Sequence, residues 1–222
     1  MTYHMTYHMT LWNNQSLFSA GKKVGVVGRN AKATTNMQGN YFGTAPFLIS
    51  PCAGINASVH GAAWCDDHIA DGGAAVVNAI NAGELAAVVL VVGLTSEGTT
   101  GTPADESEGH DRTSLLLPLN QDAYIAAVAS AAAKKSLPVI VVSMGGGPVD
   151  LSACKANSAI GAIMWCGYPG QSGGAAIADA IFGATNPSGK LTITWYVNLS
   201  RCPTSPRMDP WSSTPPICLY FC

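Results

Sequence analysis

Residues 86–94 read AAVVLVVGL, an uninterrupted apolar stretch in which valine predominates. A strand with one solvated face would alternate apolar and polar residues, and this stretch does not. It is therefore predicted to be buried on both faces, which is typical of the centre of a parallel sheet. Two more stretches of this kind follow, LPVIVVSM at residues 137–144 and IGAIMWCG at residues 160–167.

Shorter segments extend this pattern on either side. Residues 22–28, KKVGVVG, form a short apolar strand that ends in glycine, and residues 191–196, LTITWY, alternate as an edge strand does. Helix-forming segments lie between the strands, at residues 73–82, 120–134 and 174–182. Strands that alternate with helices predict an α/β fold, with helices covering both faces of a mostly parallel sheet.

The composition excludes several classes of protein. The chain has 222 residues, of which 48% are hydrophobic and 11% charged, against a typical charged fraction of roughly 25%. Its net charge is −2, without the clustered basic face that nucleic-acid binding requires. The apolar runs are far shorter than the ~20 residues of a membrane helix. Neither a nucleic-acid partner nor a membrane partner is predicted.

The two ends differ from the middle of the chain. Residues 1–21 begin with the repeat MTYHMTYHMT and are predicted to be an irregular leader. Residues 197–222 are rich in Cys and Pro, show no periodicity and are predicted to be an irregular tail. The folded domain is expected to span residues 22–196. No signal peptide is visible, although three Asn-x-Ser sequons, at Asn14, Asn56 and Asn198, mildly favour a secreted origin.

The seven cysteines do not form a recognisable metal motif. No CxxC pair occurs, and no Cys/His spacing fits a zinc site. No metal and no cofactor is therefore predicted. Their pairing in disulfides stays open at the level of sequence.

An acidic segment follows the central strand. Residues 95–111 read TSEGTTGTPADESEGHD and hold five of the 13 acidic residues of the chain. In an open α/β sheet, ligands bind at the carboxyl ends of the strands, where this segment is expected to lie. Carboxylates at that position indicate general acid/base work on a neutral substrate. The alternative is a solvated acidic loop.

The other strand ends carry weaker signals. Trp165 and Tyr168 follow the third apolar stretch and could stack on sugar faces, although packing in the core is the more common role of such a Trp. Residues 145–148, GGGP, lack the lysine of a phosphate-binding loop and indicate a tight turn against a neighbouring surface. No Gly-x-Ser-x-Gly motif occurs, and Cys166 has no evident His partner for nucleophilic catalysis.

Five blocks of sequence together resemble a known family. They are VGVVGRNAKATTNMQGNYFGTAPFLISP (residues 24–51), VVLVVGL (88–94), ESEGHDRTSLLLPLNQ (106–121), PVIVVSMGGGPVDLS (138–152) and the segment from IGAIMWCGYPGQSGG to TWY (160–196). In this order they resemble the C-terminal α/β domain of glycoside hydrolase family 3, and most of all its β-xylosidase branch. The resemblance implies a three-layer α/β/α sandwich of about six strands.

The resemblance also implies roles for residues. In the family this domain follows a (β/α)8 barrel, which supplies the nucleophile, and contributes a loop that carries the general acid/base glutamate. The resemblance implies that this glutamate is Glu106 or Glu108, which spacing does not separate; Glu106 is preferred. Asp111 with Arg112 is expected to form a structural ion pair. The candidate substrate-binding residues are Asp105, His110, Trp165 and Tyr168.

The function predicted from the resemblance is hydrolysis of β-linked sugars, as β-xylosides or β-glucosides, in polysaccharide degradation. The 222 residues contain no barrel sequence, so the alternative is a non-catalytic carbohydrate-binding or interaction module left after loss of the barrel. Such a module would expose its former barrel interface, which favours self-association as a homo-oligomer. Redox or metal chemistry through the cysteines is a minor third hypothesis. The resemblance and the sequons favour an extracellular location.

Overall fold

The structure is a computed structural model that describes residues 21–98 and 103–187, together with residues 189, 191 and 195. The strands of the described part are β1 Lys23–Val27, β2 Ala63–Asp66, β3 Leu85–Gly93, β4 Val139–Met144 and β5 Ile160–Trp165. The α-helices are α1 Pro51–Ser58, α2 Ala74–Asn81, α3 Gln121–Lys134, α4 Ser152–Ala156 and α5 Gly173–Phe182. A 3-10 helix lies at Thr35–Gln38. The predicted leader (except residue 21) and the tail lie outside the described residues.

The strands form one parallel sheet in the order β2-β1-β3-β4-β5. This is the order of flavodoxin-like doubly wound sheets, in which β3 is central. The apolar stretches therefore correspond to the strands as predicted, and the α/β fold class is confirmed. The predicted edge strand at residues 191–196 falls mostly outside the described residues. Within it, Trp195 is buried and donates its indole N–H to the carbonyl of Val149 at 2.6 Å.

Two apolar clusters, one on each face of the sheet, give the three-layer architecture. On one face, alternate valines of β3 pack with Ile55 of α1 and Ile177 of α5. On the other face, Leu90 and Val92 of β3 pack with Ile80 of α2 and with Tyr124 and Val128 of α3. All nine residues of β3 are buried, which is the reason that its sequence shows no polar alternation.

The carboxyl end of β3 is fixed by a buried amide side chain. Gln121, the first residue of α3, accepts a hydrogen bond from the Gly93 N–H at 2.9 Å and donates one to the Gly93 carbonyl at 2.8 Å. Gly93 has φ 119°, and a Cβ there would lie 2.0 Å from the carbonyl oxygen of Met144. Only glycine fits, so the acidic segment leaves the sheet at a well-defined point.

Helices α1 and α5 cross in contact through glycine. A Cβ on Gly54 would lie 2.0 Å from the carbonyl oxygen of Gly174, and a Cβ on Gly174 would lie 1.9 Å from that of Ser50. Such close approach of two backbones is possible only without side chains. The crossing brings the loops after β1 and β5 together on this side of the sheet.

Gly54→Ala is expected to lower the free energy of unfolding by about 1–3 kcal/mol, because the added methyl overpacks this crossing. The midpoint of urea denaturation measures the effect. Gly43→Ala is the matched control, since a Cβ on Gly43 meets nothing within 4 Å. An unchanged midpoint for Gly54→Ala, equal to that of the control, would contradict the observed crossing.

A disulfide joins Cys52 of α1 to Cys65 of β2 across 13 residues of sequence. It secures the edge strand of the sheet to a helix on one face. Among the described residues, Cys154 and Cys166 are free thiols. Disulfides of this structural kind are typical of oxidising compartments.

Candidate active site

Four loops meet at the carboxyl edge of the sheet. They follow β1, β3, β4 and β5, and their side chains or backbone groups join in one hydrogen-bonded network around Glu106. Ligands of open α/β sheets bind at this edge. The acidic segment therefore lies at the carboxyl edge of the sheet, as predicted from the sequence. The contacts of each carboxylate determine whether it can act on a ligand.

The Glu106 carboxylate accepts three hydrogen bonds. Its Oε1 accepts from the Tyr168 hydroxyl and from the Gly146 N–H, both at 2.7 Å, and its Oε2 accepts from the Arg112 Nε at 3.1 Å. The side chain is 20% exposed. Hydrogen bonds to an ionised acceptor are stronger than neutral ones, so this carboxylate is held in a fixed orientation.

Arg112 pairs with Glu106 and not with Asp111, which corrects the ion pair expected from sequence. Its Nη2 also donates to the carbonyl of Pro148 at 2.8 Å, so the guanidinium points towards the loop after β4. Glu106 lies in that direction, whereas the adjacent Asp111 is exposed. The Arg112 Nη1 is buried without a hydrogen-bond partner.

Tyr168 connects Glu106 to the loop after β1. Burial raises the pKa of Tyr168, and its hydrogen bond to Glu106 raises that pKa further. Its side chain also hydrogen-bonds Ser96. The Ser96 N–H in turn donates to the Asn36 side chain at 2.7 Å. A tyrosine with a raised pKa keeps its proton and acts as a donor to the carboxylate.

Asp105 serves a structural ion pair. Its Oδ2 accepts from Arg29 at 2.5 Å and from the N–H of Thr95 at 2.8 Å. Only 11% of its side chain is exposed. This carboxylate ties the loop after β3 to the loop after β1, and the contacts leave it little access to a substrate.

Glu108 has a different environment. It lies in a turn closed by Ser107 and His110, whose backbone groups pair with each other at 2.9 and 3.1 Å. Glu108 and His110 are both exposed. The Glu108 carboxylate accepts a hydrogen bond from Tyr41, which raises the pKa of that tyrosine, and Tyr41 is itself 83% exposed. Among the described residues of this loop, Glu108 thus has an exposed carboxylate with an aromatic side chain beside it.

Trp165 is partly buried and packs against other residues of the chain. Its ring meets that of Trp195 edge to face, with centroids 5.5 Å apart, and its Nε1 donates to the Gly145 carbonyl at 3.2 Å. These contacts favour the packing role over stacking on a sugar. The four predicted substrate-binding residues therefore have different environments. His110 is exposed and Tyr168 contacts Glu106. Asp105 and Trp165 make structural contacts.

The free thiols are poor nucleophiles. Burial raises the pKa of Cys166 to about 12 and that of Cys154 to about 11, so neither forms a thiolate readily. Over the part of the chain that the structure describes, no three His, Cys, Asp or Glu side chains are grouped as a metal site requires. Within that same part, no helix has the length and hydropathy needed to cross a bilayer.

Sequence reasoning did not single out three residues of the site, Arg29, Asn36 and Tyr41. All three fall in the first block that carried the family resemblance, residues 24–51. Their loop follows β1, so the strand-end rule that found the acidic segment could have found them as well.

The fold and the site define a doubly wound α/β domain with a carboxylate-bearing loop at the ligand-binding edge of its sheet. Residues 11–220 match the family described as the glycosyl hydrolase family 3 C-terminal domain. The chain belongs to this family, and the resemblance found in its sequence is confirmed.

Relatives and solved structures agree on this assignment. Beta-D-xylosidase 3 of Arabidopsis thaliana is 42% identical over 179 residues, covering 80% of this chain and 22% of that protein. A solved GH3 exo-beta-xylosidase (XlnD) aligns with a TM-score of 0.66 at 36% identity, covering 79% of this chain and 22% of that one. A Chaetomium thermophilum beta-glucosidase aligns with a TM-score of 0.66 at 26% identity, covering 88% and 25%. The chain thus spans about a fifth of the curated relatives it matches.

Proposed function

We propose that this domain supplies the general acid/base of a β-glycosidase, with Glu108 as the proton donor. The observation that carries the proposal is the exposure of Glu108 in a turn at the carboxyl edge of the sheet. An adjacent carboxylate, Glu106, holds that turn to the loops after β4 and β5. A proton donor on such a turn can face a bond held by another domain.

The contacts of the two glutamates support this choice over Glu106. A general acid must present an oxygen to the leaving-group oxygen within hydrogen-bond reach. Both oxygens of Glu106 already accept, one of them twice, from Arg112, Tyr168 and the Gly146 N–H. Glu108 has one aromatic hydroxyl as partner, which a substrate oxygen can replace.

One carboxylate is not sufficient for glycoside hydrolysis. A retaining glycosidase needs a second carboxylate about 5–5.5 Å from the first, as the nucleophile. Glu106 and Asp105 are the nearest described candidates in sequence, and both are held in ion pairs with arginines. The second carboxylate therefore comes from the barrel that the family resemblance implies.

The substrate class that we propose is the β-xyloside. The relatives named as β-xylosidases are 42% and 36% identical to this chain, whereas the β-glucosidase is 26% identical. The glycone pocket would lie in the barrel, so this domain contributes the proton and the edge of the leaving-group site.

The test is a chimera in which residues 22–196 replace the corresponding domain of the Arabidopsis Beta-D-xylosidase 3. The chimera is expected to hydrolyse phenyl β-xyloside, whereas the same enzyme without the domain is not. Circular dichroism and gel filtration establish that both proteins are folded. A folded chimera without turnover would contradict the proposal.

The alternative is a non-catalytic carbohydrate-binding or interaction module. It is supported by three large aromatic side chains exposed in the loop after β1, Tyr41, Phe42 and Phe47. If this alternative holds, xylo-oligosaccharides bind the 222-residue chain by calorimetry while the chimera lacks turnover. Self-association through the former barrel interface stays a prediction, checked by light scattering of the purified chain.

A further inference from the structure

The network around Glu106 connects more of the molecule than its own loop. It includes one residue or backbone group from each loop that meets at the carboxyl edge, Asn36, Glu106, Gly146 and Tyr168. We infer that Glu106, Arg112 and Tyr168 are positioning residues, which hold the Glu108 turn in place for the proton transfer without taking part in it. This inference rests on the proposed function. It assigns proton donation to Glu108 and the positioning of its turn to Glu106, Arg112 and Tyr168.

The first support is that the contacts join elements distant in sequence. Tyr168 and Glu106 are 62 residues apart, and Gly146 and Glu106 are 40 residues apart. Arg112 adds a contact to the Pro148 carbonyl, 36 residues away. A loop that enters and leaves the same edge of a sheet has considerable conformational freedom. Three contacts to two other loops restrict that freedom close to Glu108.

The second support is the burial of the ion pair. The side chains of Arg112 and Glu106 are 15% and 20% exposed, so their attraction is screened less than that of a surface pair. A functional side chain on a loop needs neighbours whose own rotamers are fixed by such contacts. Glu108, two residues along the chain, has no ion pair among the described residues.

The third support is the close approach of the Gly146 backbone to Glu106 and Tyr168. A Cβ there would lie 3.0 Å from Oε1 of Glu106 and 3.2 Å from Cε2 of Tyr168. The backbone of the turn after β4 thus approaches the carboxylate as closely as a hydrogen bond requires. This agrees with the tight turn against a neighbouring surface that the GGGP sequence indicates. Gly146→Ala disturbs the network without removing any of its polar groups.

Hydrogen exchange of the full 222-residue chain tests the inference. The amides of Asp105, Glu106, Ser107 and His110 are hydrogen-bonded within the loop, so their exchange reports its opening. Tyr168→Phe and Gly146→Ala are each expected to speed exchange of residues 103–112 about fivefold, as loss of one hydrogen bond does. Exchange of β3 and β4 should not change.

Two matched variants serve as controls. Tyr124→Phe removes a buried hydroxyl that has no hydrogen-bond partner, and Gly43→Ala adds a methyl where a Cβ meets nothing within 4 Å. Neither is expected to alter exchange of residues 103–112. In the chimera, Tyr168→Phe should lower kcat for phenyl β-xyloside by up to about 10²-fold with KM unchanged, because the proton donor is misplaced.

The possible outcomes separate the inference from the proposed function. Unchanged exchange of residues 103–112 in both Tyr168→Phe and Gly146→Ala would overturn the inference, whatever the activity of the chimera. Faster loop exchange with an intact sheet and reduced kcat supports it. If exchange is faster but Glu108→Gln leaves activity intact, the network holds the loop but Glu108 is not the proton donor, and the proposed function fails.

Discussion

Glu108→Gln is expected to slow hydrolysis of phenyl β-xyloside by the chimera about 10²–10⁴-fold, which is the usual contribution of a positioned general acid. Glutamine keeps the shape of the side chain and an oxygen that can accept from Tyr41, but its amide protons are not acidic. An enzyme that uses a general acid loses activity at alkaline pH, because the acid must carry a proton to give it to the leaving group. The variant should lose that alkaline limb of the kcat/KM profile.

Two substitutions in the same loop serve as controls for this result. Asp111→Asn removes another exposed carboxylate, three residues further along, and is expected to leave the rate within about twofold, as surface substitutions usually do. Glu106→Gln weakens the contacts with Arg112 and is expected to lower the rate while the alkaline limb persists. The opposite pattern, with the limb lost in Glu106→Gln and kept in Glu108→Gln, would reverse the two roles.

Replacing both Cys52 and Cys65 by Ser is expected to lower the free energy of unfolding by about 3 kcal/mol. A cross-link over a loop of this length restricts the unfolded chain by roughly that amount. Removing it also frees the edge strand β2 from helix α1. Urea denaturation under non-reducing conditions measures the effect.

A reducing agent provides the control for the disulfide. Dithiothreitol should destabilise the unsubstituted chain by nearly the same amount as the double substitution. It should have little further effect on the variant, in which any remaining response comes from other cysteines. Equal destabilisation of both proteins by the reductant would contradict a stabilising role of this bridge. A stable bridge also agrees with the extracellular location predicted from sequence, which stays a prediction.

The sheet could be predicted where strands are buried on both faces. The central strand β3 and its neighbour β4 appear in the sequence as continuous apolar stretches, because helices cover them on both sides. The edge strand β2 was missed, since its four residues, AWCD, are half-buried and their apolar run is only three residues long. Helix α1 was missed for lack of periodicity. Its start is marked by Ser50 followed by Pro51, a capping sequence that would have indicated it.

The sequence was sufficient to predict which loop carries the site, but not which role each of its residues has. Glu106 and Glu108 are two residues apart in an irregular segment, so no periodicity tells which of them points inward. The answer depends on Tyr168 and Gly146, which the fold brings from distant loops. The prediction that Arg112 pairs with Asp111 was wrong for the same reason. It was based on proximity in sequence, whereas the contact with the Pro148 carbonyl directs the guanidinium towards the loop after β4.

The dependence of the rate on the leaving group tests most directly whether Glu108 gives the proton. Dinitrophenolate departs without a proton, whereas phenolate needs one from a general acid. In the chimera, Glu108→Gln should lower kcat/KM for phenyl β-xyloside about 10²–10⁴-fold and that for dinitrophenyl β-xyloside less than about tenfold. An equal loss for both substrates, or no loss for either, would contradict the role assigned to Glu108.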